Sequence, residues 1–576
     1  MKLLKYIKEH KEIVFFIIAL VFLCLFKQFL VSKMPLYALA GAVEDDGLMV
    51  KNAKSILDGN WLGEYKYNTL LKNQMFPLFL RIIYGLNISY LSAVTIGYSI
   101  ASLFLIYNIS GKIKNKFILI IIFGFVLFNP ITYSRMVVQR VYRNSLIPGL
   151  SLMVVSGYIG LLLKQDKKIL EYALISLITS ISFGMFYYTR EDSIWLMPFS
   201  LFMMFSILIM LFINYRKNKN LKDFLIKGIL VILPFIVMNI FGMFFANMNY
   251  KCYGVRLANI QTEGAMAEAF RTMNSVKPNV NVPKVTNPKE KIQRMADVSP
   301  SLAKIELELN KEIEKFANPT TGEVEDGLFG WALLNATEAS GFKTLPEQME
   351  IFRGIKEELN SAMNQGLLER QALMPVINDV PLSKGDFKNL IIYSFKAMLF
   401  IMDYRNVEKV DIITSPYDSD YHDNMQNLLV LTRNNVLLDM SEDSMRDYND
   451  FIINNQEQYV SSLRLELRIL SLIKVLYTLA AYIIQLLGMF SFILIIGFTI
   501  KDILNKKYEL LKISICIIGI LGAILTLVLG VVYTHITKVE AINYLYLCGA
   551  FPLSIVLSCI SIVTIIEYYL NKRNEK

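Results

Sequence analysis

Ile13-Val-Phe-Phe-Ile-Ile-Ala-Leu-Val-Phe-Leu-Cys-Leu-Phe-Lys-Gln-Phe-Leu-Val31 is the stretch whose reading decides the fold. A run of about 20 apolar residues, at 1.5 Å per residue in a helix, covers the roughly 30 Å of hydrocarbon in a bilayer. It shows no strict alternation, so it reads as a spanning helix that satisfies its own backbone hydrogen bonds and not as a barrel strand. Lys2, Lys5, Lys8 and Lys11 precede it and no small-residue cleavage site follows, so a retained anchor is expected.

Working outward, similar runs recur near 86–108, 117–133, 146–163, 169–188, 194–214, 226–246, 473–499, 509–533 and 542–567. The fold class is therefore an α-helical polytopic membrane protein with about ten transmembrane helices. The run from Leu390 to Met402 is shorter and carries Lys396, and is read as an interfacial or domain-packing helix. Composition agrees: of 576 residues 54% are hydrophobic and 19% charged, with a mean hydropathy of +0.43, which excludes an ordinary soluble protein.

The net charge of +10 sits in short loops between apolar runs, at the N-terminus, 112–116, 164–168, 216–219, 501–507 and 572–573. This pattern sets orientation and does not point to nucleic acid: the basic side is expected to be cytoplasmic, with both termini there. Cys24, Cys516, Cys548 and Cys559 lie in apolar runs and only Cys252 lies near an extramembrane region, which excludes a disulfide framework or a Cys-based zinc site. His10, His422 and His535 are too scattered for a local His-rich metal motif.

Three parts follow: a transmembrane module, 1–246, with an acidic first outer loop; a mainly helical extracytoplasmic domain, 247–465; and C-terminal transmembrane helices, 466–576. The middle part gathers prolines and helix signals. Ser299-Pro300 opens a helix with Leu302, Ile305, Leu309, Ile313 and Phe316 on one face. Thr344-Leu-Pro-Glu347 has capping-box form, and Gly366 supplies a stop.

Ala42-Val-Glu-Asp-Asp-Gly-Leu-Met49 places Glu44, Asp45 and Asp46 just beyond the first span. Uncompensated acids at a membrane surface repel each other and anionic headgroups, so they call for a reason. Met49, Ala53, Ile56 and Leu57 fall on one face of a following helix, with Lys51, Asn52, Lys54 and Asp58 opposite and Gly59 at its end. Asp46 then reads as its N-cap, while a neighbouring acid faces a cleft. Thr189-Arg190-Glu191-Asp192-Ser193 is a second outer acidic turn, read either as a site or as an internal ion pair with a helix cap. Arg135, Arg140 and Arg143 lie outside against the charge bias. On a helix Arg140 and Arg143 share a face, which suits a lipid phosphate; the alternatives are snorkelling to headgroups or pairing with Glu191. Together the acids and arginines fit a reaction at the outer face in which a phosphate leaves and a carboxylate takes a proton.

The acidic first loop followed by a surface helix, with the later Arg190-Glu191-Asp192, resembles the integral-membrane C-type glycosyltransferases, the GT-C superfamily. That superfamily includes protein O-mannosyltransferases, oligosaccharyltransferases and aminoarabinose transferases. Val43-Glu-Asp-Asp-Gly-Leu-Met49, Arg140-Val-Tyr-Arg143 and Phe329-Gly-Trp-Ala-Leu-Leu-Asn335 more narrowly resemble stretches of uncharacterised bacterial members. The resemblance covers mainly residues 1–246. It implies an inverting transferase that moves a sugar from a polyprenyl-phosphate donor to a cell-envelope glycan, glycolipid or protein acceptor at the outer membrane face. By it, one of Asp45 or Asp46 would be the base, in a loop shared with Glu44, and Arg140 and Arg143 would meet the lipid phosphate. Arg190, Glu191 and Asp192 would bind substrate, and Asp46, Glu191 and Asp192 would be the ligands if a divalent cation is used. The partners are then the donor, the acceptor and the bilayer, with no nucleic acid. The reading from a different class is a non-catalytic scaffold or a lipid-linked-glycan transporter; charges at span ends and not at mid-depth weigh against a pump.

Overall fold

The computed structural model describes residues 11–39, 42–374, 381–416, 422–439, 456–506 and 508–574; Lys2, Lys5, Lys8, His10, Pro375 and Lys507 of the sequence reading lie outside them. Among the described residues nine helices are long and apolar enough to cross a membrane, and the chain is an α-helical protein of that class. They are Lys11–Val31, Tyr90–Ile109, Arg143–Leu163, Ile169–Tyr187, Ser193–Asn218, Leu221–Tyr253, Arg464–Leu504, Leu511–Thr537 and Ala550–Leu570. The first is apolar on every side and leaves Phe15, Ile18, Phe22 and Leu25 exposed, as a lipid-facing helix should. The described strands are one short parallel pair, Thr414–Pro416 beside Leu437–Asp439, with Thr414 opposite Leu437.

The run near 117–133 departs from the expected count. Its helix, Lys116–Leu127, has 12 residues, about 18 Å of rise. Asn115 caps its start, accepting from Phe117 N at 2.9 Å. Its end is forced by Pro130, which cannot continue a helix and instead opens a 3-10 turn, Pro130–Tyr133, capped by Asn129. Lys27, fully buried in the first span, donates from Nζ to the terminal carbonyl of Leu127 at 2.7 Å and to Thr132 Oγ1 at 2.6 Å. A cation at a helix C-terminus opposes the macrodipole and satisfies an orphan carbonyl, which explains a lysine in an apolar run.

From there the chain continues through two single turns, Arg135–Gln139 and Arg143–Leu146. Irregular backbone at this depth is tolerated only when its polar groups are satisfied inside the protein. Three ties to other segments do this here: Tyr37 N donates to Gln139 O at 3.1 Å, Arg135 N to Glu408 O at 2.8 Å and Val410 N to Tyr133 O at 2.7 Å.

The basic loops meet at one end of the bundle, where Tyr107 Oη donates to Glu171 at 2.6 Å and Lys227 Nζ to Gln165 O at 2.7 Å. The acidic loop, the 128–146 segment and the turn at 188–192 share the other end, held together by the contacts described below. Two helices outrun the bilayer: Leu221–Tyr253 has 33 residues and Arg464–Leu504 has 41, about 50 and 60 Å. The former carries Phe245 and Tyr253 into a second apolar core with Trp61, Leu70, Met273, Phe329, Leu333 and Phe352. This second core takes residues up to Leu368. Ala397, Ile401, Tyr404, Met425 and Leu428 join the core of the spanning bundle instead, so the buried residues of the middle stretch divide between two cores. Its start also falls inside the helix ending at Tyr253. Leu390–Met402 belongs to a helix, Lys384–Met402, begun by a Ser383/Asp386 capping box. Ala397 and Ile401 are buried against the bundle while Phe387, Ile391 and Phe395 are exposed. Ser299 caps only the single turn Pro300–Ala303, and Leu309, Ile313 and Phe316 belong to a separate helix, Glu306–Phe316, so the one helix expected there is two. Thr344 begins its helix in a full capping box, and Gly366 follows that helix with φ +76.

Candidate functional site

The acidic loop folds as one π turn, Val43–Gly47, running straight into the helix Leu48–Leu57. Gly47 takes the cap position and no side chain caps it, so Asp46 is not the N-cap that the sequence suggests. Met49 and Ala53 are buried on the expected face; Asn52, expected on the outer face, is buried as well. Gly59 follows the helix with φ +87.

Each acid of the loop takes a different direction. Asp46 receives Arg140 Nε and Nη2 at 2.6 Å each, a two-pronged pair whose side chains are 3% and 6% exposed. Asp45 turns to a half-open position: its side chain is 43% exposed and Lys72 Nζ lies 2.5 Å from Oδ1. Tyr142 Oη donates to the same oxygen at 3.1 Å, and Oδ2 of Asp45 accepts nothing among the described residues. Glu44 is exposed and accepts from Tyr67 Oη at 3.2 Å and from Asn68 Nδ2.

Arg140 and Arg143 do not share a helix face. Arg140 is extended and Arg143 begins a 3-10 turn, a segment where the β-branched Val137, Val138 and Val141 are buried. The two guanidinium groups lie 4.7 and 5.3 Å from the Tyr142 ring and serve separate acids. Arg143 Nη1 meets Glu191 Oε1 at 2.7 Å and Oε2 at 2.5 Å, and its Nε donates to Tyr142 Oη at 3.1 Å. Arg143 is thus paired with Glu191, one of the alternatives open from the sequence. Asn73 N donates to Glu191 Oε1 at 2.6 Å, tying the loop before Met75 to the same acid. Arg190 closes on Asp192 within its own turn at 2.8 and 2.6 Å, and its Nη1 reaches Leu545 O at 3.2 Å.

Four carboxylates, Asp45, Asp46, Glu191 and Asp192, thus face four cations, Lys72, Arg140, Arg143 and Arg190. Asp46, Glu191 and Asp192 do not fit a divalent cation: each has both oxygens on its own arginine, and among the described residues no group of three metal-ligating side chains assembles. Burial pushes the Asp46 carboxyl up to about 6, against the pull of Arg140. Burial also opposes charge on Asp45, but Lys72, Arg143 and the Tyr142 hydroxyl outweigh it and hold that carboxyl below its usual range. Glu191 is likewise held low, because Arg143 and Lys72 overcome its burial. Lys72 is drawn below the ordinary lysine value by burial and by nearby Arg143, with Asp45 pulling the other way.

Sequence reasoning missed Lys72, Tyr142 and Trp331 as members of this site. Lys72 Nζ lies 5.1 Å from the Trp331 ring, which meets Tyr67 edge-on at 6.5 Å, so the second core contributes the rim. No signal in the sequence marked Lys72, one of four lysines between residues 51 and 72, followed by Asn73 and Gln74 in a stretch without periodicity. Family models, curated proteins and solved structures give no match to this chain, so the site rests on its own geometry.

Proposed function

We propose that this protein is a membrane glycosyltransferase that moves a sugar from a polyprenyl-phosphate donor to a cell-envelope acceptor. In this reading the chain crosses the cell membrane ten times, with the short helix Lys116–Leu127 counted as one crossing. The basic end and both termini are cytoplasmic, and the end bearing the ion cluster and the second core faces out. One observation carries the proposal: Asp45 is the carboxylate of the cluster with an unengaged oxygen at a half-exposed position. Asp45 then takes the acceptor's hydroxyl proton, and its depressed proton affinity keeps it ionised at neutral pH. Lys72 holds Asp45 by a single contact, so it is the cation most readily redirected to a departing phosphate. Arg140 and Arg143, locked on Asp46 and Glu191, position the loop and do not meet the phosphate directly.

The proposal is tested by donor binding. Lys72→Gln should weaken the affinity of the detergent-solubilised protein for a polyprenyl phosphate by about tenfold, the loss of one charge-assisted hydrogen bond. An unchanged affinity in a folded variant would remove Lys72 from the reaction. The balance of four acids against four bases favours a second reading, a non-catalytic scaffold stapled at this end by ion pairs. In that reading Lys72→Gln leaves lipid-phosphate affinity untouched and only loosens the fold.

A further inference from the structure

At the same end of the bundle, where Leu36 N donates to Asn435 O at 2.7 Å, lies a cavity of about 370 Å³ whose walls differ in character from the ion cluster. Lys33, Arg433, Ser89, Ser92, Asn434 and Tyr459 line it, and no carboxylate does among the described residues. Neither Lys33 nor Arg433 has an ion-pair partner among the described residues, whereas every cation of the ion cluster has one.

The walls are built and not incidental. Asn434 ties together two span ends: its Nδ2 donates to Ser32 O at 3.0 Å, just past the first span, and its Oδ1 accepts Leu91 N at 3.0 Å, in the first turn of Tyr90–Ile109. Arg433 is held in the left-handed region, φ +51, with its guanidinium 4.8 Å from the Tyr84 ring. Tyr459 fixes the backbone of Lys33 by donating to its carbonyl. Ser89 stands at the N-cap of Tyr90–Ile109 yet does not cap it; its hydroxyl donates instead to Ser92 Oγ at 2.8 Å. The N–H groups of Tyr90 and Ser92 are left without a protein acceptor among the described residues. Two cations without an ion-pair partner and two serine hydroxyls therefore line one cavity among the described residues, beside the N-terminus of a 20-residue helix. This is the donor set an oxyanion of phosphate requires.

We infer that this cavity binds the phosphate group of a membrane lipid. It opens where the first span ends and the second begins, at the height of lipid headgroups, so a phosphodiester enters with its acyl chains still in the bilayer. The inference is independent of the proposed transferase, since it uses none of the residues of the ion cluster.

Native mass spectrometry of the full chain, released from membranes of defined composition, tests it. The probes are phosphatidylglycerol, its phosphate-free counterpart diacylglycerol, and inorganic phosphate. Lys33→Gln with Arg433→Gln should lower bound phosphatidylglycerol by about tenfold or more, the removal of two charge-assisted contacts. Ser89→Ala with Ser92→Ala, which spares both charges, should lower it by a smaller factor and serves if the charge variant fails to fold. Displacement of phosphatidylglycerol by inorganic phosphate confirms that the phosphate is what the cavity reads. Binding of inorganic phosphate without lipid retention assigns the same pocket to a soluble phosphate. Equal retention of phosphatidylglycerol by the wild type and a folded variant, or no preference for either phosphate probe over diacylglycerol, would overturn the inference.

Discussion

Asp46 and Arg140 form the most enclosed pair in the cluster, and their fate separates architecture from chemistry. Taking both charges out of water costs several kcal/mol, which their two short contacts offset only while both remain. Asp46→Ala strands a buried guanidinium and should destabilise the protein by about 3–5 kcal/mol, read as a lower midpoint of thermal unfolding in detergent. Adding Arg140→Met should recover much of that loss, because the double variant leaves no unpaired charge; no recovery would mean that the pair does more than neutralise itself. At this scale the sequence told which residues matter better than how they are used. The acids at 44–46, the arginines at 140 and 143 and the turn at 190–192 were legible as charges out of place. The pairs Arg143–Glu191 and Arg190–Asp192 stood among the alternatives; Asp46–Arg140 did not, because it depends on a π turn and an extended segment that lack a periodic signal. Lys72 came from a loop with no pattern at all. Its partner Trp331 sits on a helix whose periodicity speaks only of core.

Elements were read more securely, since apolar length and caps are local. One departure is the helix Lys116–Leu127, shorter than expected because Phe128, Ile131 and Tyr133 prolong the apolar run while Pro130 ends the helix. Contact between the long helices is set by glycine. A Cβ placed on Gly488 of Arg464–Leu504 would lie 2.5 Å from the Cα of Ser558 in the last span, a backbone atom that cannot rotate aside. Gly488→Ala should therefore push these two helices apart and cost about 1–3 kcal/mol, the usual penalty of overpacking. Gly497, on the same helix with nothing within 4 Å, supplies the control, and Gly497→Ala should leave the unfolding midpoint nearly unchanged. Equal effects from both would show that the close approach is not what joins the helices.

For the whole molecule the central question is orientation, which the basic loops answer by charge bias alone. Cys252 provides a natural reporter. It is the exposed one among the five cysteines, next to the end of Leu221–Tyr253 and on the face assigned to the exterior. A membrane-impermeant maleimide should label it in intact cells, and Cys252→Ser should abolish the label. Labelling only in inverted vesicles would reverse the topology and place the ion cluster inside. The division into two cores was half legible: prolines and capping boxes announced the second. That Ala397, Ile401, Tyr404 and Leu428 return to the spanning bundle was not, because such residues look alike whichever core they enter.

The most direct test of the whole account is sugar transfer from a polyprenyl-phosphate donor by the reconstituted protein carrying Asp45→Asn. With Asp45 as the base, the rate should fall by about 10² to 10⁴-fold while the unfolding midpoint stays near that of the wild type. Transfer at the wild-type rate by the folded variant would contradict it.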